Sequence, residues 1–233
     1  MNAIHEFLLA YPLLRTSLDI VSVVVPLSVL LAFAGMGFMS ATARILSITR
    51  RRSSYDKCAR QLAVLGLILG WLLLIGGRIW LFFTQDGYTP DSLPSFLVEM
   101  SWMLLGIAVL ISSLYYALWK ALKNMPVLHV TLGVLSGIQG CVAVVSSLAA
   151  ARFLSALAHP DAAGLTLGDL FLPAWNAPLW SALCYTLPLV LAMPAAFGAL
   201  WLPLRRTHDD FGRDHYNTMI PWCAGWARNA WCL

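Results

Sequence analysis

Five apolar runs, each long enough to cross a hydrocarbon core as a helix, alternate with short polar connections along the chain: about residues 20–43, 61–83, 97–119, 130–151 and 179–204. A spanning helix needs roughly 20 mostly apolar residues. Backbone polar groups in lipid are satisfied inside helices, so the pattern predicts an all-α, integral membrane five-helix bundle. In this reading residues 1–17 form an outer interfacial segment, 18–204 the transmembrane bundle and 205–233 a cytoplasmic tail. Of 233 residues, 60% are hydrophobic and 11% charged, and the mean hydropathy of +0.75 excludes an ordinary soluble domain. No basic stretch precedes Arg15, and the first apolar run is longer than the core of a signal peptide, so it is expected to remain as a helix.

Charge sets the expected orientation. Arg44, Arg50, Arg51, Arg52, Lys57 and Arg60 crowd the first connection, Lys120 and Lys123 the third, and Arg205, Arg206, Arg213 and Arg228 follow the fifth run. The second and fourth connections hold Asp86, Asp91, Asp161 and Asp169 and neither Lys nor Arg. The positive-inside rule then places the N-terminus outside and the C-terminus in the cytoplasm. The net charge of +4 is thereby explained by topology and contact with anionic lipid, without nucleic acid. Stretches 4–14 and 165–175 read as interfacial segments, and Trp80, Trp102, Trp119, Trp175, Trp180 and Trp201, near run ends, read as membrane anchors.

Against this apolar background four charges stand at one level: Asp19, Arg78, Glu99 and Arg152. All fall within the outermost turn or two of their runs, at ~1.5 Å rise per residue, and can therefore meet. Charge near hydrocarbon is costly unless paired or turned inward. Asp19 and Arg152, the most terminal, are expected at the interface. Arg78 and Glu99, flanked by apolar residues, are the candidate catalytic pair of a polar pocket handling protons or a quinone.

The remaining chemistry-bearing residues mostly read as structure. Gly66, Gly70, Gly76 and Gly77 in the second run and Gly133, Gly137 and Gly140 in the fourth have the spacing of close helix packing. Room for a flat cofactor there is the minority alternative. Pro26, Pro188 and Pro194 bend their helices. His129 and His159 lie about 45 Å apart along one helix and cannot share a metal or haem. His208, His215, Asp209, Asp210 and Asp214 read as a solvated tail rather than a divalent-ion site. Cys58, Cys141, Cys184, Cys223 and Cys232 read as free thiols. No metal site is expected, and a b haem has no convincing ligand pair.

The stretch Val23 to Ser28 (VVVPLS), the basic loop with Tyr55, Asp56 and Lys57, the glycine-bearing second run, Leu97-Val98-Glu99, His129 at the start of the fourth run, and Ala158-His159-Pro160 follow one another in order. Together they resemble the N-terminal half of subunit I of the cytochrome bd-type quinol oxidases. The family's haem-ligand histidines would fall at about Val21 and near Ser181, and its second acidic residue of the third helix near Gly106. The resemblance implies a shared bundle and a retained role for Glu99 in a proton path or polar pocket, but not oxygen reduction. It yields the expectation of a membrane subunit of a respiratory or redox complex in the bacterial inner membrane, not an enzyme alone. Its partners would be the lipid bilayer and other membrane subunits or a second copy. The cofactor stays open, with a quinone as the candidate. The alternative expectation is a non-catalytic scaffold that binds partner helices.

Overall fold

The computed structural model describes residues 11–79, 93–157, 178–209 and 211–232, and these are mostly helical with no strand among them. Helix α1 spans Pro12–Arg50, α2 Ser53–Trp71, α3 Leu93–Ala117, α4 Pro126–Leu157, α5 Pro178–Arg205 and α6 Arg213–Trp231. A single π turn, Leu72–Gly76, continues α2 and carries the helix on to Ile79. Five of these helices, all but α6, are long and apolar enough to cross a membrane. The connections 84–95 and 159–178 lie largely or wholly outside the described residues, as do residues 4–10, stretch 165–175, Trp80, Trp175, His5, His159, Asp210 and the side chain of Asp19.

Helix α1 is the hub. It packs on α2, α4 and α5, while α3 joins α2 to α4 and α6 lies on α5 and touches α2. Its 39 residues give a length of about 58 Å, well beyond a hydrocarbon core of ~30 Å. Residues 12–17, expected as part of a separate interfacial segment, are thus its first turns. A proline in the first turn opens it, where a missing N–H has no helical acceptor to lose. Arg51, with φ of +52°, ends it. Pro26 sits within α1 without interrupting it.

Close approach joins an apolar core that includes Phe33, Met36 and Met39 in holding α1 to its neighbours. A Cβ on Gly37 would lie 2.5 Å from the Gly137 nitrogen and 2.6 Å from the Gly133 carbonyl oxygen of α4. Gly140 faces the Ala34 backbone of α1 in the same way, and Gly137 lies under the ring of Phe38. On the α5 side, Gly35 fits beneath the Val190 carbonyl and the Pro194 ring. The glycines expected to pack helices therefore do so in α4, and Gly66 and Gly70 of α2 meet Met36 and Phe33. Only about a third of each spanning window is buried. The outward remainder is rich in exposed Leu, Ile and Val, such as Leu110, Leu187 and Leu200, the inverse of a water-soluble surface.

The tail differs from expectation. Instead of a solvated segment, α6 docks on the basic end of the bundle and buries His215, Tyr216, Met219 and Cys223. Of the five thiols, Cys58 and Cys223 are buried, Cys141 is half-buried, and Cys184 and Cys232 are exposed.

Candidate functional site

Three consecutive features of α2 build the end opposite the basic loops. The π turn adds a residue to one turn and resets which face the following side chains occupy. Gly77 comes next, and a Cβ there would meet the Trp102 ring at 2.6 Å, so its bareness lets α3 lean on α2. Arg78 then points at Glu99, one turn before Trp102 on α3, and Arg78 Nη1 donates to Glu99 Oε1 at 2.6 Å. The two residues that the charge pattern singles out are thus brought together. Both side chains are 51% exposed, so the pair lies on the flank of the bundle rather than in an enclosed pocket. Arg152 is half-buried on α4, and Asp19 belongs to α1.

The exposure of the pair makes its strength depend on what surrounds it. In water such a pair contributes ~0.2–1 kcal/mol, whereas cover by lipid or protein strengthens the attraction. A double-mutant cycle with Arg78→Leu and Glu99→Gln is expected to give a coupling under about 1 kcal/mol for the isolated protein in detergent. A coupling of several kcal/mol there would mean the pair is already enclosed.

Two polar clusters at the basic end are invisible to the charge pattern. In the first, Ser40 donates to the Ala59 carbonyl at 2.7 Å and, its proton so used, accepts from Tyr115 at 2.9 Å. The His129 ring stacks on Tyr115 at 4.6 Å and meets Trp119 edge-on at 4.5 Å. His129 Nε2 donates to the Tyr115 carbonyl at 3.4 Å, while its Nδ1 has no hydrogen-bond partner among the described residues. Arg44 pairs with Asp56 and lies over the Trp119 ring. Trp119 is accordingly a packing residue.

The second cluster centres on Gln61, which is buried. Its amide donates to Asp209 Oδ2 at 3.2 Å and to Tyr216 Oη at 3.5 Å, and its oxygen accepts from His215 Nε2 at 3.1 Å. Arg205 holds Asp209 with two bonds, at 2.9 and 3.1 Å, and Tyr216 donates to the Asp209 carbonyl. Trp201 donates to the Gln61 carbonyl at 3.2 Å. The tail histidine and aspartate thus form a latch between α2, α5 and α6. Among the described residues no three His, Cys, Asp or Glu side chains converge to hold a metal.

Burial, and then the charge of Lys57, push the His215 imidazole below its ordinary value of 6.5. Because Nε2 carries the hydrogen given to Gln61, added protonation would fall on Nδ1, buried with no partner among the described residues. Burial pushes the Asp209 carboxyl up, but hydrogen bonds from Arg205 and Gln61 and the charges of Arg205 and Arg60 outweigh it and hold it below 3.8. A depressed histidine binds fewer protons docked than released, so docking is at full strength above about pH 6.5 and weakens as pH falls below it. The contribution of Asp209 persists until far stronger acid. Amide exchange across 213–231 is therefore expected to quicken between about pH 7.5 and about pH 5.5, after correction for intrinsic rates. A pH-independent protection of α6 would remove His215 from the latch.

Sequence reasoning passed over Gln61 and Ser40 because each is a lone polar residue in or beside an apolar run. A buried amide needs partners, and that was the available signal. The chain matches no protein-family model, and it has no match among curated proteins or solved structures.

Proposed function

We propose that this chain is a membrane-embedded subunit of a larger respiratory or redox assembly, and that Arg78 and Glu99 handle a quinone head group or a proton where it meets its partners. The observation that carries this reading is the ion pair itself, joined at 2.6 Å and half open on the flank of apolar helices. A charge pair in that position is stabilised by a polar visitor or a partner subunit far more than by hydrocarbon. A guanidinium and a carboxylate side by side also offer a quinone head group both hydrogen-bond donors and acceptors. The order of motifs resembling the first half of bd-oxidase subunit I supports the respiratory setting. It also supports a bacterial inner membrane, and the Lys and Arg of the first and third connections and of the tail favour the N-terminus outside. The chain would act as part of an enzyme rather than as one alone.

The test is quinol turnover by the purified complex carrying Glu99→Gln or Arg78→Leu. A fall of at least about tenfold, roughly 1.4 kcal/mol in barrier, is the expected result. Unchanged turnover in the double variant would end the proposal.

A second reading, a non-catalytic scaffold for partner helices, draws on a different observation. The glycine faces of α1 and α4 are filled by each other's backbone and by Phe38, which uses the space a flat cofactor would need there. In that case the same variants would lower copurification of partner subunits without altering turnover per assembled complex. A Soret band from the isolated chain would exclude the scaffold without a cofactor.

A further inference from the structure

Helix α3 turns outward a row of apolar side chains at seven-residue intervals. Phe96, Met103 and Leu110 are 52%, 60% and 61% exposed, and Ala117 continues the row. Beside it, on the side toward α2, runs a second row at the same interval. There Glu99 is bonded to Arg78, Gly106 meets Leu74, and Ser113 accepts from Trp71 Nε1 at 3.2 Å. Among the described residues, a Cβ on Gly106 would meet only Leu74, at 3.9 Å, so the α3 backbone lies nearly bare in the middle of this face. A seven-residue repeat drifts by ~20° per heptad around a straight helix, and it stays in line along a helix that winds left-handed about another. Lipid tails can cover the apolar row, but they leave the two half-exposed charges of Arg78 and Glu99 unanswered.

We propose that this flank binds a second copy of the chain, α3 against α3, about a two-fold axis along the membrane normal. Two copies inserted with the same topology present the same residues at the same depth, and the two-fold axis reverses their order across the seam. Arg78 of each copy then faces Glu99 of the other, and the two ion pairs close into a neutral ring of alternating charge. A surface that carries one charge of each sign at one level is in this way complementary to itself. Below the ring, Phe96, Met103 and Leu110 meet their own counterparts in register, as in a parallel pair crossing near ~20°, and bare Gly106 admits a neighbouring side chain. Cover by the second copy strengthens the attraction between Arg78 and Glu99, which is weak while the pair stands half open. The dimer does not depend on the quinone reading of the same pair.

Oxidative cross-linking with copper phenanthroline in phosphatidylcholine vesicles is the test, on full-length protein carrying Cys184→Ser and Cys232→Ser to remove the exposed native thiols. Met103→Cys and Leu110→Cys should each give a covalent dimer, whereas Leu187→Cys on α5, exposed to a similar degree at 64%, should give little. Added to the Met103→Cys protein, Arg78→Glu leaves only carboxylates at the ring and Glu99→Arg only guanidinium groups. Either alone should lower the yield at least about tenfold, because like charges then face one another. Vesicles holding both variants in equal amounts should recover the yield, since unlike copies attract. No cross-link at either α3 position, as when a lipid head group or a different subunit covers the pair, would overturn the proposal. So would an equal yield at Leu187→Cys, charge variants that cross-link unimpaired, or a mixture no better than its components. The two α3 cysteines are read with both charges in place, so a folding defect at Arg78 or Glu99 cannot obscure them. No quinol is present, so a failed cross-link leaves the quinone reading standing, and unchanged turnover leaves the dimer standing.

Discussion

Gly37→Ala is expected to leave little monodisperse protein and to lower the thermal midpoint of what remains by more than any other single methyl addition in α4's contact with α1. The added carbon would collide with three backbone atoms of α4, the Gly137 nitrogen at 2.5 Å, the Gly133 oxygen at 2.6 Å and the Gly137 Cα at 3.0 Å. Overpacking a core typically costs 1–3 kcal/mol when side chains can shift, and more when they cannot. Backbone cannot swing away as a rotamer does, so α1 and α4 would have to separate. That separation would also loosen Gly140 from Ala34 and Gly133 from Ala41. Between lipid-facing helices, where hydrocarbon offers no hydrophobic drive, close packing is the main attraction that would be lost. Gly76→Ala is the matched control, because nothing lies within 4 Å of its added carbon. It should be neutral or stabilising by up to ~1 kcal/mol through better helix propensity. Size-exclusion profiles and melting in one detergent would decide the matter, and equal stability of Gly37→Ala and wild type would refute the seam.

The second large effect is expected from Gln61→Leu, which keeps roughly the side-chain volume and removes every hydrogen bond that this side chain makes across the α6 docking surface. Gln61 is 4% exposed and serves Asp209, Tyr216 and His215 at once. Removing one partner from a buried donor or acceptor costs ~1–3 kcal/mol per stranded group. His215 Nε2 is the most exposed to this loss, since Asp209 keeps its two bonds from Arg205 and Tyr216 its bond to the Asp209 carbonyl. The helix should come off while the bundle stays. Trypsin cleavage after Arg213 and Arg228 would then accelerate at least about tenfold, with exchange in α1 and α4 unchanged. Slower or unaltered cleavage would show that apolar contacts of Met219 and Cys223 suffice to hold α6.

The spanning helices were legible because hydrocarbon imposes a length and a composition that few other environments demand. Their ends were not. Residues 12–17 and 44–50 lie on α1 beyond its apolar run, where no change of hydropathy marks the helix and only the proline at its start is a signal. Half of the α1–α4 seam was equally plain, since Gly133 and Gly137 have a recognised spacing. Their partner Gly37, with Gly35 facing α5, lies two residues from its neighbour glycine and forms no such pattern. The Arg78 and Glu99 pairing could be anticipated from level alone, because two opposite charges near one membrane edge attract. Its open position on the flank could not, since it depends on how α3 leans at Gly77. The docking of α6 was hidden because its sequence is mixed and its polar anchor, Gln61, sits in another helix.

One residue too many in a single turn has a further implication for α2. A π turn is what a helix makes when its chain has gained a residue and the surrounding contacts are kept. Deleting one residue between Leu72 and Gly76 would let the segment close as an ordinary helix and keep everything beyond it on its present face, because five residues at π pitch turn the chain about as far as four at α pitch. Straightening the turn with all five residues in place would instead rotate Arg78 away from α3 by about 100° and leave Glu99 without its guanidinium. The charge pair is thus tied to the shape of the turn before it, and a relative lacking that residue would carry its basic side chain one position earlier and need no π turn.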